Sequence, residues 1–355
     1  MRILHILNHV QEVGNGIVNV AIDLACLQAK AGHEVGVASA GGQYEELLSR
    51  YGARHFTIDQ TRKPINLLKA ASRYRATVQE FQPDIVHAHM MTGIVLARLL
   101  RAKFRYSLVS TVHNEFQRSA VLMGWADRVI AVSHAVAESM TRRGIPNKKL
   151  RVISNGTLGS PRTRSLRAYQ PLSLQHPAIT TVAGMYQRKG IAELIEAFAQ
   201  IALDFPDAHL YIVGNGSDRK MFEVQAQGTT VSDRIHFEGF QPEPQRYLLS
   251  TDIFVLASHR DPSPLVIPEA REAGCAIIAT DVDGISESLD GGQAGLLVPP
   301  ANSSALAAAL VKLLTHPEIQ DTWKDKALHN LDRLNVKRVH EETLSVYREL
   351  TADEL

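Results

Sequence analysis

Short apolar, β-branched runs alternate along the chain with longer segments whose apolar positions recur every three or four residues. The first half reads RILHIL, a helical pattern over Ile17–Gly32, EVGVAS, a helix over Leu67–Phe81, DIVHAH, a helix over Gly93–Lys103, and YSLVSTVH. Strands are also expected at Arg128–Val132 and Leu150–Ile153, with a helix over Ala135–Arg143 between them. This rhythm is that of βαβ units around a parallel sheet. It lapses over Gly156–Pro177, a stretch with three prolines and two glycines that reads as an interdomain linker. It then restarts with strands at AITTVAG, HLYIVG, RIHFEG, IFVLAS, AIIATD and GLLVPP. Helices are expected at Ile191–Asp204, Arg219–Gln227, Gln245–Ser250, Leu265–Ala273 and Ser304–Thr315, and the tail from Glu318 reads as helix to the end. The expected fold is α/β, with two doubly wound Rossmann-like domains facing across a cleft. Their bounds are 1–160 and 178–335, joined by a linker at 161–177, with a C-terminal helix over 336–355 able to pack back on the first domain.

Length and composition agree with this picture. A chain of 355 residues is long enough for two or three domains, and 45% apolar with 21% charged residues is ordinary for a globular protein. The longest apolar stretches, such as Gly93–Leu100, fall far short of the roughly 20 residues that span a bilayer. Ile3–Leu7 is interrupted by His5 and followed by Asn8, so it lacks a signal-peptide core, and a cytoplasmic location is expected. Cys26 and Cys275 lie far apart in apolar segments and read as small hydrophobes, with no disulfide between them.

Charge is distributed unevenly. Through Leu166 there are 22 Lys and Arg against 11 Asp and Glu, and beyond it 16 against 26. Such a split points to separate units, the first facing an anionic partner. In Arg62–Arg75, the residues Ile65, Leu67, Leu68 and Ala71 alternate with Arg62, Lys63, Lys69, Arg73 and Arg75, the pattern of a basic amphipathic helix. A second cluster, Arg98–Arg105, holds Arg98, Arg101, Lys103 and Arg105. These read either as solvated faces or as peripheral contact with an anionic membrane, at the inner face of the cell membrane. Nucleic acid is not expected, because aromatic residues able to stack bases make up only 6% of the chain.

Open α/β sheets bind ligands beyond the carboxyl ends of their strands. In VGNGIVN, Gly14, Asn15 and Gly16 join the first strand to a helix, as a phosphate-approaching loop or simply a tight turn. The third small residue of a dinucleotide fingerprint is missing, with Asn19 in its place, and no acid follows for a ribose, so no nicotinamide cofactor is expected. In VAGMYQRKG, Arg188 and Lys189 stand just before a helix, where cations are unfavourable unless an anion is near, and a diphosphate fits. In SHRDPSPLVIPEAREAG, Asp261 lies in a loop and Glu269 about one turn into a helix, so both carboxylates can accept from sugar and ribose hydroxyls. Free amides near Leu265 and Val266 would meet phosphate. His87 and His89, two apart on a strand, share a face, but no acid or cysteine nearby completes a metal set, and with His5 and His9 they read as structural.

Taken together, GNGIVNVAIDLACLQAKAGHEV, PDIVHAH, STVHN, ADRVIAVS, KLRVISNG, RKG, LYIVGNG, IHFEGF, TDIFVLAS and the run from Asp261 to Pro300 resemble retaining glycosyltransferases of the GT-B fold, family GT4 type, over essentially the whole chain. The resemblance implies an acceptor-binding first domain and a second domain that holds a UDP- or GDP-sugar donor, with no cofactor or metal required. It implies that Lys189 and a neighbouring Arg, here Arg188, bind the donor diphosphate, that Glu269 binds the ribose and that Asp261 touches the sugar. It further implies that His113 contacts the transferred sugar, that Gly14–Gly16 closes over the donor, that Gly239 and Phe240 lie beside the base and that Pro264, Leu265 and Val266 line the phosphates. The implied reaction is transfer to a glycan or lipid-linked acceptor in polysaccharide, lipopolysaccharide or glycolipid assembly. Three departures stand out: Asp261 where Glu is usual, Met185 in place of the family's Arg, and Asp281 and Asp283 spaced like a metal pair of the other major glycosyltransferase fold, although Asp283 occupies a glycine position of this family and no metal is expected there. A nucleotide-sugar epimerase and, on account of Asp261 and Met185, a silent binding subunit are the alternatives.

Overall fold

The computed structural model describes residues 1–61 and 64–352. The chain divides into two compact units, Met1–Thr163 with Asn335–Leu355, and Arg164–Leu334. The first unit runs β1 (Arg2–Ile6), α1 (Gly16–Lys30), β2 (Glu34–Ser39), α2 (Tyr44–Arg50), β3 (Arg54–Thr57), α3 (Pro64–Phe81), β4 (Ile85–Ala88), α4 (Met91–Leu100), β5 (Ser107–Val112), β6 (Arg128–Ala131), α5 (His134–Arg142) and β7 (Leu150–Val152). The second runs β8 (Ala178–Val182), α6 (Ile191–Ile201), β9 (His209–Val213), α7 (Arg219–Gln227), β10 (Ile235–Gly239), α8 (Gln245–Leu248), β11 (Ile253–Leu256), α9 (Val266–Glu272), β12 (Ala276–Thr280), α10 (Ile285–Ser288), β13 (Leu296–Val298), α11 (Ser303–Thr315) and α12 (Pro317–Ala327). The last helix, α13 (Val336–Ala352), belongs to the first unit.

Both sheets are parallel and doubly wound. Their strand orders are β3-β2-β1-β4-β5-β6-β7 and β10-β9-β8-β11-β12-β13. The order reverses beside β1 in the first unit and beside β8 in the second, and open α/β sheets bind ligands outside the carboxyl ends of their strands at such a switch point. Central strands such as IVHA and AIIAT are buried throughout, as parallel strands covered on both faces must be. In the first unit Leu4, Ile6, Val86 and Leu108 pack towards α3 and α4, while Leu7, Val35 and Val37 pack with Val18, Ile22 and Ala25 of α1. The second unit repeats this, with Ile179, Ile212 and Val255 against Leu194 and Phe198 of α6, and Phe254 and Ile277 against Ile267 of α9. Each such side chain, fully buried, contributes roughly 1.5–3 kcal/mol.

Several local details differ from the sequence expectation. The short α2 and edge strand β3 carry too few apolar positions to announce themselves. On α3 the inward residues are Ala70, Tyr74, Val78 and Phe81, whereas Leu68 is 75% exposed on the side of Lys69. The tail is not one helix. It breaks after α12 where Asn330 takes φ 57°, forms a short 3-10 turn over Leu331–Leu334, and restarts with the Asn335 side chain accepting from Lys337 N. On α13, Glu349 then accepts from Arg128 and Arg151, tying this helix to β6 and β7. Residues 164–177 are irregular and held to the second unit, with Leu172 N donating to Ser250 Oγ and Gln175 N to Tyr211 OH. Among the described residues no helix is long and apolar enough to cross a membrane.

Candidate active site

In the second unit, the loops after β8 and β11 meet at the switch point. The first turns sharply: Met185 N donates to Asn215 O, Asp218 N to Met185 O, and Gln187 N to the Asp218 carboxylate. Met185, the departure from the family pattern, is fully buried in the core and does not point into the loop's open side. Gly190 then ends the loop with φ 66°, and a Cβ there would lie 1.8 Å from Ala257 O, so only glycine allows the β8 and β11 loops this close.

That closeness brings Lys189 and Asp261 together. Lys189 Nζ donates to Asp261 Oδ2 at 2.5 Å, with both side chains largely buried, and Ser258 Oγ adds a longer contact to the same oxygen. The Asp261 amide donates to Asp283 Oδ2, which also accepts from Arg260 Nε, and Gly284 N donates to Asp261 O. Asp283 takes φ 44°, a conformation that favours glycine, and its carboxylate is held by Arg260 and the Asp261 amide. Asp281 is exposed on the loop. Asp283, but not Asp281, therefore braces the loop under Asp261. Arg188 is exposed beside the Tyr186 ring, while its carbonyl accepts from His259 N, and the His259 ring pairs with Glu193 in the first turn of α6. His259, Arg260 and Glu193 had no spacing signature in the sequence, and only the adjacency of β8 and β11 reveals them.

The remaining second-unit candidates follow β11 and β10. Pro264 is buried, Leu265 and Val266 open α9, and Glu269 stands in its first turn, half-buried. Gly239 ends β10 with φ 70° and accepts from Gly214 N, leaving Phe240 44% exposed.

The first unit has its own polar centre at the matching place. Gly14 takes φ 67°, and the Asn15 side chain caps α1 by accepting from Ile17 N at 3.0 Å, so the exposed Gly16 amide opens the helix. His113 follows β5, half-buried, with its Nε2 3.1 Å from His89 Nδ1. His5 and His87 are register partners on β1 and β4, and His5 Nδ1 lies 3.0 Å from His89 Nε2. Burial pulls the pKa of His5 down to about 4 and that of His113 to about 3, and holds His87 and His89 well below the usual value, so all four rings are neutral at neutral pH. Among the described residues, His5, His87 and His89 form the one cluster spaced for a metal. The third histidine, His5, completes a set that the sequence did not suggest, yet every ring nitrogen in it already has a protein partner. The two cysteines are buried and free, their thiols pushed up to about 12 by burial, which makes them unreactive packing residues.

Comparison with known proteins agrees with this fold. Residues 14–157 match the model described as Glycosyltransferase Family 4, and 164–329 that described as Glycosyl transferases group 1. The chain is 24% identical to the lipopolysaccharide core biosynthesis glycosyltransferase LpsE of Rhizobium meliloti (strain 1021) over 78% of this chain and 77% of that one. It is 23% identical to a phosphatidyl-myo-inositol mannosyltransferase of Mycolicibacterium smegmatis, covering 98% and 93%. Its fold is similar to that of Anabaena HepE, solved in complex with UDP-glucose, with a TM-score of 0.83 at 20% identity over 98% of this chain and 100% of that one. Two Rossmann-like units of GT-B type, each matched by a glycosyltransferase model, establish that the chain is a glycosyltransferase of family 4, in the group 1 glycosyl transferases.

Proposed function

We propose that the chain moves a hexosyl group from a UDP- or GDP-sugar to a hydroxyl of a glycan or lipid-linked acceptor, with retention at the anomeric carbon, in polysaccharide, lipopolysaccharide or glycolipid assembly. The observation that carries this reading is the Lys189–Asp261 pair at the switch point of the second unit. It sets a cation for a diphosphate beside a carboxylate for a sugar hydroxyl. Lys189 and Arg188 bind the diphosphate with the amides near Pro264, Leu265 and Val266. Glu269 accepts from the ribose, Asp261 from the sugar, and Gly239 and Phe240 lie beside the base. Gly14, Asn15 and Gly16 close over the donor, and His113 contacts the transferred sugar.

In the reaction the bond from the anomeric carbon to the diphosphate oxygen breaks and one to the acceptor oxygen forms on the same face. The acceptor proton passes to a donor phosphate oxygen, so no protein base is needed. Charge grows on the departing diphosphate, and Lys189 and Arg188 stabilise it. A metal is not needed, since those cations do its work. Support for the donor comes from HepE, whose structure holds UDP-glucose, and for the acceptor class from the names of the relatives above. The silent-subunit alternative loses one of its two motives, because Met185 is a core residue.

The same reading places the first unit against an anionic membrane at its cytoplasmic face. Lys69, Arg73, Arg75, Arg98, Lys103 and Arg105 are exposed, as are Leu68 and Leu99, while Arg62 and Lys63 lie outside the described residues. Such cations contribute about 1 kcal/mol each near an anionic surface. Proton NMR of the product formed with UDP- and GDP-hexoses in EDTA tests the reaction. An anomeric configuration equal to the donor's is expected, and an inverted product, or one formed only after manganese or magnesium is restored, would contradict it.

A further inference from the structure

One unbroken line of hydrogen bonds crosses the first unit from β5 through α13 and α1 to His113. Thr111 Oγ1 lies 2.7 Å from His87 Nε2, and His87 Nδ1 lies 2.6 Å from the Tyr347 hydroxyl. Gln28 Nε2 donates to that hydroxyl at 3.4 Å, and Gln28 Oε1 lies 2.7 Å from His5 Nε2. The line continues from His5 Nδ1 to His89 Nε2 at 3.0 Å, and from His89 Nδ1 to His113 Nε2 at 3.1 Å. Gln28, His5, His87 and Tyr347 are wholly buried and His89 nearly so.

The chemistry of such a line leaves little freedom. A neutral imidazole has one N–H and one bare nitrogen, so each ring donates once and accepts once, and the choice at one ring dictates the next. The side-chain amide of Gln28 has unlike ends and sets the direction. Its carbonyl oxygen accepts from His5 Nε2–H, so His5 Nδ1 accepts from His89 Nε2–H, and His89 Nδ1 accepts from His113 Nε2–H. His113 Nδ1, which has no partner among the described residues, is left as an acceptor. On the other side the Tyr347 hydroxyl accepts from Gln28 and donates to His87 Nδ1, and His87 Nε2–H donates to Thr111. Turning the amide over would invert every ring and put the proton on His113 Nδ1.

We infer that Tyr347 and Gln28, through His5 and His89, are positioning residues that hold His113 as its Nε2–H tautomer and present Nδ1 to a hydroxyl donor. The use of that nitrogen rests on the reading that His113 contacts the transferred sugar; the tautomer itself does not. The spacing of His5, His87 and His89 has another chemical explanation, a bound zinc, but their nitrogens are already paired with one another and with Gln28, Tyr347, Thr111 and His113. The line also gives α13 a task beyond packing, since Tyr347 comes from this last helix.

The test is long-range proton–nitrogen correlation NMR on the full chain labelled with nitrogen-15 histidine, at neutral pH, with zinc content measured on the same sample. His113 is expected to show a protonated Nε2 and a bare Nδ1. Tyr347→Phe, which keeps the ring, and Gln28→Met, which keeps the length, release the amide's direction; both tautomers of His113 should then appear, with kcat lower by about tenfold, the size of one hydrogen bond, and the donor KM unchanged. A wild-type proton on Nδ1, variants with an unchanged tautomer, or one zinc per chain on these rings would overturn the inference. A changed tautomer with unchanged kcat would support the relay and contradict the role of His113 in transfer, so the two readings fail separately.

Discussion

Arg162 and Asp23 show how single side chains hold the first unit in shape. Arg162 donates through Nε and an Nη to both Asp23 oxygens, at 2.8 and 3.0 Å, and Ser160 Oγ donates to the same carboxylate, all nearly out of solvent. A buried pair of this kind adds little net stability, but removing one partner strands the other charge. Arg162→Met should therefore cost about 3–5 kcal/mol in denaturant unfolding, and the double variant with Asp23→Leu clearly less; equal losses would mean that the pair is merely packing. At this scale the sequence was legible where chemistry is local. Lys189 stands before a helix and Asp261 in a loop ahead of one, and each could be chosen without a structure. Their direct contact could not, because it depends on β8 lying beside β11. For the same reason the hold of Arg260 and the Asp261 amide on Asp283 and the burial of Met185 leave no mark in the sequence.

Among the elements, the buried strands and the helices α1, α5 and α11 were readable because their apolar periodicity is local, whereas their caps Asn15, Ser133 and Asn302 show only in the structure. The break between α12 and α13 was not. It rests on one left-handed residue, Asn330, and on the ion pairs of Glu349 with β6 and β7, which are remote in sequence. The junction of β8 with α6 is the element whose geometry the site needs most. Gly190→Ala forces a side chain into φ 66° and against Ala257 O. The conformation alone costs about 1–2 kcal/mol, and relief of the clash must part the β8 and β11 loops. The second unit should melt lower and lose affinity for nucleotide diphosphates together; a variant with wild-type affinity would show that Lys189 and Asp261 need not be adjacent.

For the molecule as a whole, the two units have opposite charge, and the first carries a buried histidine set that makes it acid-sensitive. The first buries His5, His87 and His89 as neutral rings, all with lowered pKa, that of His5 about 4. Unfolded histidines take up protons from about pH 6.5 downward while the folded rings do not, so the unfolded state binds more protons and stability falls with falling pH. The contribution is complete above pH of about 6.5 and shrinks by up to about 1.4 kcal/mol per pH unit for each ring, until the folded pKa is reached. With Trp323→Phe, Trp125 alone reports on the first unit, and its urea midpoint should drop steeply between about pH 6.5 and 5; a flat midpoint would mean that these rings are protonated in the folded state. Parallel, doubly wound sheets could be expected from the βαβ rhythm, whereas the meeting of three histidines required the β1–β4 register. The central claim is that the second unit holds a nucleotide sugar on Lys189, Asp261 and Glu269, and calorimetric titration of UDP, GDP and their hexose conjugates in EDTA tests it most directly. One equivalent should bind, Lys189→Ala and Glu269→Gln should each weaken nucleotide and nucleotide sugar by about 10- to 150-fold, and Asp261→Asn should weaken only the sugar conjugate. Binding that is unchanged in all three variants, or none at all without added metal, would contradict it.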